Sequence, residues 1–154
     1  MSGNLNGSIT VKAGGALEVT GSVVGSITTT GATELVLCGA KVNGSVTAGG
    51  STGFVLIGGD LCAATTIQGS VTISKGTGGL EIAGSTIGGG LTVSGNSGLG
   101  PAQINGAYPG PLITGNKIGG SLSCDTNSPA PTNGGTANTV GGSRSGQCAT
   151  PVKL

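Results

Sequence analysis

The chain has no histidine and no tryptophan, one Tyr, one Phe, and only 7% charged residues. Each shortage excludes something. With so few rings, no ordinary aromatic-anchored core can form. Without His, the side chain most used for acid–base work near neutral pH is missing. Six Lys and Arg against five Asp and Glu leave a net charge of +1. A chain with so little positive charge has no means of releasing phosphate counterions, so no nucleic-acid partner is expected. No apolar run reaches about 18 residues, so no membrane insertion is expected. Proline does not occur before position 101.

Glycine is what the chain has in excess, at 35 of 154 residues. Gly and Pro together make roughly 27% of the chain, which would signal low complexity if they were aperiodic. Helices are disfavoured, because each Gly costs about 1 kcal/mol there relative to Ala. Disorder is disfavoured too. Leu, Ile, Val and Phe reach roughly 23%, and the charge is too low to keep an unfolded chain extended.

Gly and the aliphatics share a period. The phrase apolar-x-Gly-Ser-apolar-Thr runs Leu5–Thr10, Val23–Thr28, Val42–Thr47 and Ile67–Thr72, and continues more loosely as Ile87–Thr92 and Ile118–Ser123. Its glycines, 7, 25, 44, 69, 89 and 120, are spaced by 18, 19, 25, 20 and 31. A second phrase, apolar-x-apolar-x-Gly, falls between them at Leu17–Gly21, Leu35–Gly39, Phe54–Gly58 and Leu80–Gly84. Each phrase alternates and reads as a short strand ending at Gly. Strands so short predict an all-β, single-domain parallel β-solenoid: a three-sided β-helix of about six coils of 18–20 residues. The crossover preference predicts a right-handed coil. Two aliphatic columns are expected inside: Ile9, Ile27, Val46, Val71, Leu91, Leu122, and Val19, Leu37, Leu56, Ile82. The solenoid is expected over 1–123, with insertions near 59–64 and 98–110. An irregular cap is expected over 124–154. Leu5 starts the first strand almost at once, which would leave an edge able to pair with another chain.

Four Cys, at 38, 62, 124 and 148, form no CxxC, and a zinc site would need thiolates from four distant positions. One or two disulfides are expected, with Cys124–Cys148 tying the cap and Cys38–Cys62 stapling the second coil to the first insertion. Three connectivities are possible, and the sequence does not choose among them; four reduced core thiols are the alternative. Met1-Ser2-Gly3-Asn4 resembles no signal peptide and by itself reads as cytosolic. The cysteines argue instead for an extracellular or cell-surface protein whose signal peptide lies outside this sequence.

The C-terminal residues Asn116–Cys124, Asn127–Thr132, Asn138–Val140 and Gly146–Cys148 resemble secreted actinobacterial Gly/Ser/Thr-rich repeat proteins. The likeness covers roughly the last 40 residues, and the Gly-Ser-Val-Thr coils more loosely. It implies secretion and a Cys124–Cys148 disulfide, and no activity. The coils are also distantly similar to bactofilins, cytoskeletal solenoids that polymerise end to end, although the cysteines and the cap fit that comparison poorly.

Little in the chain points to catalysis, metal or cofactor, and none of these is expected. Glu18 and Glu81 fall at equivalent outward positions in non-adjacent coils, where solvated surface charge is the plain reading. A Ser nucleophile would lack a base. Calcium-binding repeats need an Asp in each coil, and this chain has two Asp in all. Gly88-Gly89-Gly90 lacks the Lys-Ser/Thr and the helix of a phosphate loop. Tyr108 is expected to pack on the solenoid wall.

The informative surface is a hydroxyl ladder. Ser8, Ser26, Ser45, Ser70 and Ser121 form one rank, broken at Gly90. Thr10, Thr28, Thr47, Thr72 and Thr92 form the next, continued by Ser123. Outward residues two apart lie about 6.6 Å from each other, and coils repeat about every 4.8 Å. A flat, uncharged array of this kind suits self-association or contact with an extended regular surface. The alternative is ice, because the spacings approach those of its lattice and ice-binding solenoids use similar Thr-x-Thr arrays.

Overall fold

The computed structural model describes residues 1–59, 62–100, 107–150 and 153–154. Among them there is no helix, and every strand belongs to a coil. The first coil is β1 (Asn4–Leu5), β2 (Ile9–Val11) and β3 (Ala16–Val19). The second is β4 (Ser22–Val23), β5 (Ile27–Thr30) and β6 (Glu34–Leu37). The third is β7 (Lys41–Val42), β8 (Val46–Gly49) and β9 (Phe54–Gly58). The fourth is β10 (Thr66–Ile67), β11 (Val71–Ser74) and β12 (Leu80–Ala83), and the fifth is β13 (Thr86–Ile87), β14 (Leu91–Ser94) and β15 (Leu112–Thr114). β16 (Lys117–Ile118) and β17 (Leu122–Asp125) belong to the sixth, β18 (Thr139–Val140) and β19 (Arg144–Gly146) to a seventh.

Equivalent strands stack in parallel and in register as three sheets. The first sheet runs β1-β4-β7-β10-β13-β16-β18, the second runs from β2 to β19, and the third runs from β3 to β15. The expected solenoid is therefore present. It extends one coil further than the expected six, because the segment read as an irregular cap pairs β18 with β16 and β19 with β17. The repeat is hard to see there because Arg144 stands where the other coils have an aliphatic residue.

The Gly-Ser phrase proves to be a corner joining two sheets. Leu5, Val23 and Val42 close first-sheet strands, and Ile9, Ile27 and Val46 begin second-sheet strands. The anchoring glycines stack coil on coil. Gly44 N–H donates to Gly25 O at 3.1 Å, and Gly69 N–H to Gly44 O at 3.1 Å. A Cβ at Gly44 would lie 2.7 Å from Gly25 O, so close backbone approach is what demands glycine at this corner.

The first aliphatic column matches expectation, from Ile9 through Ile27, Val46, Val71 and Leu91 to Leu122. The second needs one correction. Val19, Leu37, Ile57, Ile82 and Ile113 align, so Ile57 takes the place expected for Leu56. Two glycines follow Ile57. Gly58 pairs with Ala83 inside the sheet, so aligning the phrase on Gly58 shifts its residues by one. A one-residue shift exchanges the faces of a strand. Leu56 thus points out of the third sheet.

One core column runs Val11, Thr29, Ala48, Ile73, Val93, Cys124. Thr29 is 1% exposed and its hydroxyl has no hydrogen-bond partner among the described residues. Thr29→Val keeps the shape and removes the unmet polar group. It should raise stability by about 1 kcal/mol in urea unfolding; a loss of stability would contradict that accounting.

Both expected disulfides are present, Cys38–Cys62 with Cα atoms 4.9 Å apart and Cys124–Cys148 with Cα atoms 5.2 Å apart. The second is wholly buried. The insertion near 59–64 falls between β9 and β10, and that near 98–110 between β14 and β15. Residues 60–61 and 101–106 of these insertions lie outside the described residues.

Candidate functional site

Second-sheet strands are rich in Val, Ile, Leu and Thr, which suit a half-buried pleated surface. Their alternation buries Ile27 and Thr29 and turns Thr28 and Thr30 outward. Register carries this pattern from coil to coil. Thr10, Thr28, Thr47, Thr72 and Thr92 occupy one rank on consecutive rungs, followed by Ser123 and then Ser145. Thr10, Thr28, Thr47 and Thr92 are exposed, and Thr72 and Ser123 are half-exposed. The flanking rank of Lys12, Thr30, Gly49, Ser74, Ser94 and Asp125 places charge only at its first and last positions.

The serine rank has a second duty. Ser26 N–H donates to Ser8 Oγ at 3.0 Å, and Ser45 N–H to Ser26 Oγ at 3.1 Å. Ser70 N–H likewise donates to Ser45 Oγ at 3.1 Å, and Gly90 N–H to Ser70 Oγ at 3.2 Å. Each of these hydroxyls thus accepts from the next coil and keeps one proton for an outside partner. Ser121 Oγ accepts from Ser143 N–H at 3.2 Å and also pairs with Ser143 Oγ at 3.2 Å, and Ser145 Oγ donates to Ser123 Oγ at 3.0 Å. Ser143 and Ser145, which the repeat reading missed, extend both ranks by one rung. The signal for them was Gly141-Gly142-Ser143, the same corner as Gly119-Gly120-Ser121.

Glu18 and Glu81 share one outward rank of the third sheet, separated by Val36 and Leu56. Three rung spacings put them about 14 Å apart. That exceeds the roughly 5–9.5 Å used by paired carboxylates in glycoside hydrolysis. No group of three or more His, Cys, Asp or Glu that could hold a metal ion occurs among the described residues.

Sequence reasoning also missed two amide ladders inside the C-terminal coils. Asn116 Nδ2 donates to Ile82 O at 2.7 Å and to Asn138 Oδ1 at 2.9 Å, while its Oδ1 accepts from Ser85 N–H at 3.0 Å. At another corner, Asn96 Nδ2 donates to Asn127 Oδ1 at 2.9 Å, and Asn127 Nδ2 to Gln147 Oε1 at 3.0 Å. These ladders hold the coils that carry the far end of the hydroxyl face. Their trace in the sequence is an Asn one residue past a strand-ending Gly, as in Gly95-Asn96 and Gly115-Asn116.

No protein-family model, curated protein or solved structure matches the chain. The likeness to secreted repeat proteins and to bactofilins gains no support from those comparisons. The two disulfides are compatible with an extracellular protein.

Proposed function

We propose that this is a non-catalytic extracellular or cell-surface module whose second-sheet face meets a regular, uncharged surface, or the same face of a sister molecule. One observation carries the reading: two ranks of uncharged hydroxyl side chains held in register across the coils from Ser8 to Ser145. The threonine rank from Thr10 to Thr92 offers a hydroxyl on every rung at about 4.8 Å, and the serine rank does so except at Gly90, so a partner with a matching repeat gains many weak contacts at once. With charge confined to its ends, the face carries little ionic desolvation cost. Sizing and electron microscopy over a concentration series test the assembly half. Growth of ordered oligomers, lost on Thr47→Tyr with unchanged thermal unfolding, supports it; a strictly monomeric, non-adherent protein overturns it.

The unbroken threonine rank favours ice as a second reading. Thr supplies a methyl and a hydroxyl together, so each rung offers both hydrogen bonding and apolar contact. The expected result is thermal hysteresis that falls at least tenfold in Thr28→Tyr or Thr47→Tyr. Absence of hysteresis in the parent protein at high concentration removes this reading.

A further inference from the structure

The hydroxyl face carries charge at two places only, both in the rank that flanks the threonines. Lys12 follows the paired residue Val11 in the first coil, and Asp125 ends β17 in the sixth. Both are exposed, and between them the rank runs Thr30, Gly49, Ser74 and Ser94. Opposite charges thus stand at the two ends of one edge, about 24 Å apart. Across that distance they are screened from each other in physiological salt.

We propose that this face binds the same face of a second copy in antiparallel orientation, with Lys12 of each molecule against Asp125 of the other. The inference rests on the self-association half of the function proposed above and adds the orientation of the partner. Two identical faces can meet about a two-fold axis in two ways. With the axis along the solenoid, the flanking rank of one copy lies over the serine rank of the other. Lys12 then meets Ser8 and Asp125 meets Ser121, so neither finds an opposite charge. With the axis along the strands, each rank lies over itself with the coils in reverse order. The first coil then lies over the sixth, the second over the fifth and the third over the fourth. Both charges are matched, twice in each dimer, and such matching fixes the register of an interface. Thr28 lies over Thr92 and Thr47 over Thr72, where each hydroxyl can donate and accept. The gaps in the ranks are matched as well. Ser26 lies over Gly90, and Ser74 over Gly49. Lys75, at the adjoining corner of the fourth coil, falls over Gly50 and meets no like charge. Ser, Thr and Gly are short, so the faces approach closely, and the flexible four-carbon stem of Lys12 spans the gap at the rim.

This pairing closes on itself, so assembly through the face stops at two. The matched area measures only about 24 by 13 Å, which places the dimer at the weak end of protein interfaces. Sedimentation of the parent protein from micromolar to millimolar concentration should show a monomer–dimer equilibrium. Lys12→Glu turns both ion pairs into repulsions, and so does Asp125→Lys. Each should weaken dimerisation at least tenfold. An equimolar mixture of the two variants should recover the parent's affinity, because every charged contact of the mixed dimer again joins opposite signs. That recovery also excludes misfolding as the cause of the loss. Unchanged dimerisation in either variant, or a mixture no tighter than its components, overturns the antiparallel pairing and leaves self-association standing. Growth beyond the dimer that is lost on Thr47→Tyr does the same. A parent protein that stays monomeric at millimolar concentration removes both.

Discussion

Replacing Asn116 with leucine should cost about 4 kcal/mol of folding free energy. Asn116 is 1% exposed and sits at the corner after the third sheet. Its amide accepts from Ser85 N–H and donates to Ile82 O and Asn138 Oδ1. Leucine leaves Ser85 N–H and Ile82 O buried without that partner, while Asn138 Oδ1 keeps only the Asn116 backbone N–H, and each unmet group costs roughly 1–3 kcal/mol. Ser85 N–H and Ile82 O belong to the coil below and Asn138 to the coil above, so one substitution loosens two interfaces. Urea unfolding should show a lower midpoint with an unchanged slope. Asn43→Leu is the control. Asn43 is exposed and should move stability by under about 0.5 kcal/mol. A loss at Asn116 no larger than that at Asn43 would contradict the ladder as a structural element.

Breaking the buried disulfide should rank next, at about 3 kcal/mol for Cys148→Ser. The bond closes a separation of 24 residues, for which chain entropy alone predicts roughly that figure. The loss should also be local. In a solenoid each coil contacts mainly its neighbours, so an end coil is free to open while the rest stays closed. The seventh coil is held by short pairings of β18 and β19, by Cys148, and by Arg144, whose Nε–H donates to Leu154 O at 2.6 Å. Hydrogen exchange should therefore accelerate at Gly141 and Gly142, which donate to Ile118 O and Gly120 O. Ile27 and Val46, in the second and third coils, should keep their protection. An equal loss at all these amides would show that the molecule opens as one unit.

Most of the architecture was legible because it repeats. Ile9, Ile27 and Val46 could be aligned by eye, and their pairing follows from burying one aliphatic column. The first sheet was not legible as strands, since two residues such as Ser22-Val23 are too few to show alternation. Leu56 and Ile57 were exchanged because Gly58 and Gly59 offered two anchors where other coils offer one. The seventh coil was hidden by Arg144 in an aliphatic place. Asn96 and Asn116 gave a faint signal, because an Asn after Gly reads first as turn chemistry.

For the hydroxyl face, the ranks of Ser and Thr followed from the repeat alone. What those serines do within the fold did not. Their acceptance of the next coil's N–H depends on the approach of two backbones, which no single coil encodes. By itself the sequence determined the coil, its period, its core columns and the uncharged face, because each is a local pattern multiplied by translation. Tertiary structure decided the number of coils, the register at Leu56 and Ile57, the disulfide pairing and the amide ladders. These depend on distances between segments far apart in the chain, and on which side of a stacked sheet each one crosses.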